Sequence, residues 1–177
     1  MTHAFRLSTL TLVILSTFFS AHAQQPANVL VTIAMIGDVV ENVAGECANV
    51  TTLMGAGVDP HLYEASARDV RLFQESDVIF YSGYSLEGQL GEVLERFGEQ
   101  KPTVAVSPAS IDASNLITVQ DIYGIDPHLW MDVSLWAQIT TAITDTLAEV
   151  RPDCAETMAA NAENYRSQLS ALHDWIA

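Results

Sequence analysis

The sequence predicts an α/β fold: a parallel four-stranded sheet with helices on both faces. Three observations carry this. Four short runs are apolar and rich in β-branched residues, the pattern of strands buried on both sides. Segments with helical apolar spacing lie between them, and such alternation argues for a parallel sheet. The chain has 177 residues, 49% of them hydrophobic, with no low-complexity stretch. That is enough for one core and one domain.

The elements follow in order. Residues 29–35 read as a buried strand, and 37–45 as a short helix closed by Gly45. Residues 49–54 form the second strand, followed by the loop Gly55-Ala56-Gly57-Val58-Asp59-Pro60. Ser66 is placed to cap a helix, with Asp69 three positions on. That helix carries Val70 and Phe73 toward Asp77, and residues 78–81 form the third strand. Residues 85–97 are amphipathic, with Leu86, Leu90, Val93, Leu94 and Phe97 on one side.

Residues 103–106 give the fourth strand, and 107–125 read as a long loop. Asp132 can cap a helix bearing Leu135, Trp136, Ile139, Ile143, Leu147 and Val150, which Arg151-Pro152-Asp153 stops. A last helix starts near Glu156. Its apolar stripe is Met158, Ala162, Tyr165, Leu169, Leu172 and Ile176.

The first 23 residues read as a secretory signal peptide. Arg6 precedes an apolar run at 10–19, and Ala21-His22-Ala23 is a small-x-small cleavage pattern. The run is too short for a membrane span. Position 24 is Gln, so no lipid-anchor cysteine stands at the expected cleavage point. The expected product is periplasmic. The whole chain carries a formal charge of -15, and the leader holds one Arg and no acid. The remainder would therefore be repelled by nucleic acid and by anionic lipid. Cys47 and Cys154 are a possible disulfide in an oxidising compartment, or else two separate buried thiols.

One motif occurs twice: Val58-Asp59-Pro60-His61-Leu62-Tyr63 and Ile125-Asp126-Pro127-His128-Leu129-Trp130. His61 follows the second strand and His128 follows the fourth. Ligands of open α/β sheets bind at the carboxyl ends of strands. Both copies therefore fall on the rim where a site forms. Neutral imidazole is a ligand for zinc, manganese, iron and nickel. Asp59 and Asp126 can orient the rings from behind or cap local amides. Pro60 and Pro127 fix each loop to one path.

Loop histidines are in most proteins surface residues with no ligand; the repeat and the shared rim set this pair apart. His3 and His22 leave with the leader, and His173 lies beside the apolar stripe of the last helix as a solvated side chain. Two ligands do not complete a site. Asp59, Glu64, Asp126 and Asp132 can add oxygen donors, and each also reads as a cap or a solvated loop acid. No nucleophile elbow, phosphate loop or Ser/His/Asp set is present. The missing ligands are expected on another chain or on a continuation of this one.

These residues resemble the TroA-like receptors of bacterial ABC transporters for zinc and manganese. The resemblance rests on Gly57 to Glu64, Asp69-Val70, Asp77 to Gly83, Leu86-Glu87, Asp126 to Asp132, and Asn161 to Tyr165 through Leu169. It covers nearly all of 29–177. It implies two α/β lobes joined by a long helix, with the metal between them. It implies that His61 and His128 are the two ligands of the first lobe. A third ligand, His or Glu, and a final Asp come from a second lobe, and no position here matches them.

The resemblance further implies an N-terminal lobe at 24–155 and the start of the linking helix at 156–177. It implies a non-enzymatic monomer that carries Mn2+ or Zn2+ to the membrane subunits of an ABC permease. Members specialised for zinc often have a His-rich loop before the second motif, and 107–125 holds no His. Two other readings stand beside this one. The first is a metal-dependent hydrolase using local acids. The second is an adhesin-like lobe that binds a partner through Tyr165, Leu169, Leu172 and Ile176, a stripe that can instead pack on the lobe itself.

Overall fold

The computed structural model describes residues 25–118 and 124–177. The leader read at 1–23 lies outside the described residues, as do residues 119–123 of the long loop. The elements are β1 (Ala27–Ile33), α1 (Ala34–Ala44), β2 (Ala48–Met54), α2 (Ala67–Glu75), β3 (Val78–Tyr81), α3 (Leu90–Phe97), β4 (Thr103–Ala105), α4 (Val106–Ser110), α5 (Val133–Trp136), α6 (Ile139–Val150) and α7 (Ala155–Ile176). The sheet order is β2-β1-β3-β4, and every pairing is parallel.

The burial explains the sequence pattern. β1 is buried except at Asn28, and β3 is buried throughout. β2 is an edge strand and exposes Asn49, Thr51 and Thr52. The order reverses between β1 and β3. Right-handed crossovers then put α1 on one face and α2 and α3 on the other. The contacts agree: α1, α6 and α7 pack together, while Phe73 of α2 meets Phe97 of α3 at 5.3 Å between ring centroids.

Several boundaries depart from the expected ones. α1 starts at Ala34, so Ala34 and Met35 are helical rather than strand. A short apolar run carries no signal that separates the end of a buried strand from the first turn of a buried helix. Gly45 does close α1, at φ 53. The segment 85–97 is helical only from Leu90. Gly83, Tyr84, Ser85 and Gly88 all take positive φ and form a turn first.

The expected fourth strand ends at Ala105, and the supposed loop opens with α4. Pro108 sits in the first turn of α4, where no backbone donor is needed. The helix expected from Asp132 onward is interrupted at Ala137 and Gln138. Both keep helical φ and ψ, but Gln138 N–H donates to Leu135 O at 3.0 Å. The interruption is a tightened turn.

α7 is fastened along its first half. Asn161 Nδ2 donates to Val43 O at 3.1 Å. The Tyr165 hydroxyl donates to the Asp38 carboxylate, and Arg166 Nη1 to Thr140 Oγ1 at 3.2 Å. Tyr165 and Leu169 of the expected exposed stripe are therefore buried against the lobe. Only its end, Leu172 and Ile176, is exposed, beside Trp175.

At the opposite end of the sheet from the histidines, the Sγ atoms of Cys47 and Cys154 are 2.00 Å apart, a disulfide. Arg151 beside it is buried. It donates to Gln25 O at 2.7 Å and Cys47 O at 3.0 Å, and pairs with the Asp153 carboxylate.

Candidate metal centre

The two Asp-Pro-His loops converge at the carboxyl ends of the strands. Each His follows a proline and an aspartate that shape its loop. Asp59 Oδ1 accepts the backbone N–H of His61 at 2.9 Å, capping the 3-10 turn Pro60–Leu62. Asp126 Oδ1 accepts the backbone N–H of His128 at 3.0 Å. Of the two roles open to these aspartates, both take the local cap, and Asp126 also contacts its histidine ring. Its Oδ1 is also 2.7 Å from His128 Nδ1.

That contact assigns the ring proton to Nδ1 and leaves the Nε2 lone pair for a ligand. The hydrogen bonds from the His128 backbone and then its ring hold the Asp126 carboxyl below its ordinary range. Pro127 is buried.

His61 Nε2 and His128 Nε2 stand 3.3 Å apart. Two nitrogens each about 2.0–2.1 Å from one zinc ion at a tetrahedral angle are about 3.3–3.4 Å apart. The spacing therefore suits two ligands of a single ion. The ring centroids are 5.4 Å apart and the planes inclined at 69°. Trp130 stands edge-on to His128 at 5.3 Å. An open cleft of about 370 Å³ leads to the pair, lined by Met35, Met54, Asp59 and Trp130 among others.

The remaining expected donors are placed elsewhere. Asp132 accepts from the backbone of Ser134 and Leu135 and from the Ser134 hydroxyl, so it caps α5. Glu64 is exposed and lines a separate small depression with His61, Leu62, Tyr63 and Gln89. Among the described residues, no group of three or more His, Cys, Asp or Glu is placed to hold a metal ion. His173, read as solvated, is partly exposed on α7.

Sequence reasoning named Glu87 only among the residues that carry the resemblance and gave it no role at the site. This carboxylate is 1% exposed. It accepts from Thr32 Oγ1 at 2.8 Å, from Ser82 N–H at 2.6 Å and from Gly83 N–H at 3.1 Å. Burial pushes its pKa up, against those hydrogen bonds. The available signal was an acid between two glycines, Gly83 and Gly88, directly after a buried strand.

The model of the family described as "Zinc-uptake complex component A periplasmic" matches residues 29–177. The manganese-binding lipoprotein MntA of Bacillus subtilis is 39% identical over 153 residues, covering 86% of this chain and 50% of the relative. The zinc-binding protein TroA of Treponema pallidum is 36% identical over 148 residues, covering 84% and 47%. The solved structure of the periplasmic zinc-binding protein TroA from Treponema pallidum matches with a TM-score of 0.80 at 35% identity, over 85% of this chain and 54% of that one. The chain spans about half the length of the curated relatives it matches. Fold, motifs and matches agree: the chain belongs to the ZnuA family of periplasmic zinc-uptake components.

Proposed function

We propose that this chain is the metal-capturing part of an extracytoplasmic receptor. It takes up a divalent ion, Mn2+ or Zn2+, and delivers it to the membrane subunits of an ABC permease. The ion is cargo and not a resident cofactor. The observation that carries this reading is the 3.3 Å separation of His61 Nε2 and His128 Nε2, with the His128 tautomer set by Asp126.

The protein works by binding and release, without chemistry on the ion. His61 and His128 donate one nitrogen each, and further donors come from outside the described residues. The relatives' names mention both manganese and zinc, and the ligands outside this set decide between them. The protein acts as a monomer after removal of residues 1–23, with Gln24 at its new N-terminus. The disulfide between Cys47 and Cys154 suits an oxidising compartment. No helix among the described residues is long and apolar enough to cross a membrane.

The test is a titration of the chain with Mn2+ and with Zn2+, repeated for His61→Ala and His128→Ala. Each substitution should abolish binding. Unchanged affinity in either variant overturns the assignment.

A further inference from the structure

The His61 loop rests on a turn that contains none of the repeated motif. A β carbon on Gly88 would stand 2.4 Å from the His61 carbonyl oxygen and 3.3 Å from its carbonyl carbon. Gly88 also has φ 49, a conformation that glycine adopts freely and other residues rarely. Both space and backbone therefore require glycine where this turn meets His61.

Glu87 holds the turn in place. Its carboxylate reaches inward and binds Thr32 on β1 and the amides of Ser82 and Gly83 at the end of β3. Tyr84 and Ser85, at φ 49 and 64, are kept in a backbone region that costs on the order of 1–3 kcal/mol each and persists only where surroundings over-determine it. Three hydrogen bonds to one buried carboxylate supply that determination. A carboxylate is costly to bury, and a purely packing role at this position would be served by an apolar side chain.

We propose that Glu87 and Gly88 are positioning residues for the metal centre: Glu87 fixes the turn, and the turn, through Gly88, sets where the His61 backbone lies. The inference rests on the reading of His61 as a metal ligand. Its size can be judged. Relieving a 2.4 Å contact to an ordinary separation of about 3.5 Å needs a shift on the order of 1 Å. A metal site tolerates about 0.2 Å in its ligand distances. A loop displaced that far no longer presents Nε2 beside His128.

The test compares the unaltered chain with Glu87→Gln, Gly88→Ala and a control, Lys101→Met. Gln keeps the size of Glu87 but turns an N–H toward one of three donors that need an acceptor. Lys101 Nζ binds the carbonyls of Phe73, Gln74 and Ser76. These lie at the end of the sheet away from the histidines, so its loss lowers stability without touching the turn. Affinity for Mn2+ and Zn2+ is read by Trp fluorescence, since Trp130 stands against His128. The imidazole resonances of His61 and His128 are followed by NMR with and without metal, and folding by circular dichroism.

Glu87→Gln and Gly88→Ala should each bind at least tenfold more weakly while folded, with shifted His61 resonances. Lys101→Met should melt earlier with affinity and resonances unchanged. Unaltered His61 resonances in both turn variants overturn the inference. So does an affinity loss no greater than a destabilised control shows. If metal moves neither imidazole in the unaltered chain, the metal reading fails instead. The positioning inference is then still judged by the metal-free His61 resonances.

Discussion

Asp126 Oδ1 contacts His128 twice, at its backbone amide and at its ring Nδ1. One carboxylate oxygen thus shapes the loop and chooses the tautomer. Removing it frees the ring to rotate and to carry its proton on Nε2, the atom that faces His61.

Asp126→Ala should therefore weaken Mn2+ and Zn2+ binding by about 10–100-fold, the usual effect of losing a hydrogen-bond partner behind a metal-bound histidine. A chelator-competition titration measures it. Affinity equal to that of the unaltered chain means that Asp126 only caps its loop.

Asp69 predicts the response to acid. It closes the capping box of α2 with Ser66 and accepts from the Tyr63 hydroxyl at 2.8 Å. Burial alone would raise its pKa, but the bonds from Ser66 and Tyr63 prevail and lower it from 3.8. A depressed carboxyl stabilises the fold above its ordinary pKa, and that contribution is lost as pH falls below 3.8 through the folded value. Urea unfolding at pH 7 and pH 3 should show the loss. Asp69→Ala should cost about 1–3 kcal/mol at pH 7, the scale of hydrogen bonds to a charged group, and make the dependence below pH 4 shallower. An unchanged slope would show that other carboxylates govern it.

The disulfide closes a loop of 107 residues. Loop-closure entropy at that length is worth about 4–5 kcal/mol in the chain-entropy model, and measured values are commonly 2–4 kcal/mol. The Cys47→Ser, Cys154→Ser pair should thus lower Tm markedly, as should reduction. Metal affinity at room temperature should not move, because the bridge and the histidines lie at opposite ends of the sheet. Calorimetry with and without reductant checks the first claim, and a metal titration the second.

The long helix should show two kinds of position. Met158 is fully buried in the helical layer, and Met158→Ala should cost about 2–5 kcal/mol. Trp175 is 82% exposed, and Trp175→Ala should stay within about 0.5 kcal/mol. Chemical denaturation separates them. Equal costs would mean that the last turn packs as the first ones do.

Much of this was legible beforehand. The strands were readable because parallel strands are buried on both faces and so become continuous apolar runs, as at Val78–Tyr81. Ser66 with Asp69 and Gly45 were readable because a cap is a local hydrogen bond or a local φ. The start of α1 was not, because Ala34-Met35-Ile36 suits either structure. Nor was α4, because Pro108 breaks helices everywhere except in their first turn.

The site divides in the same way. The sequence by itself determined the alternating α/β order, the family, and the two Asp-Pro-His loops at strand ends, since each depends on residues close together in the chain. Only the tertiary structure decided that His61 and His128, 67 positions apart, meet at 3.3 Å. It alone set the Asp126 carboxylate against the His128 ring, turned Glu87 inward, and set Gly88 against His61. Those are distances between segments brought together by burial of a shared core, and no local preference encodes them.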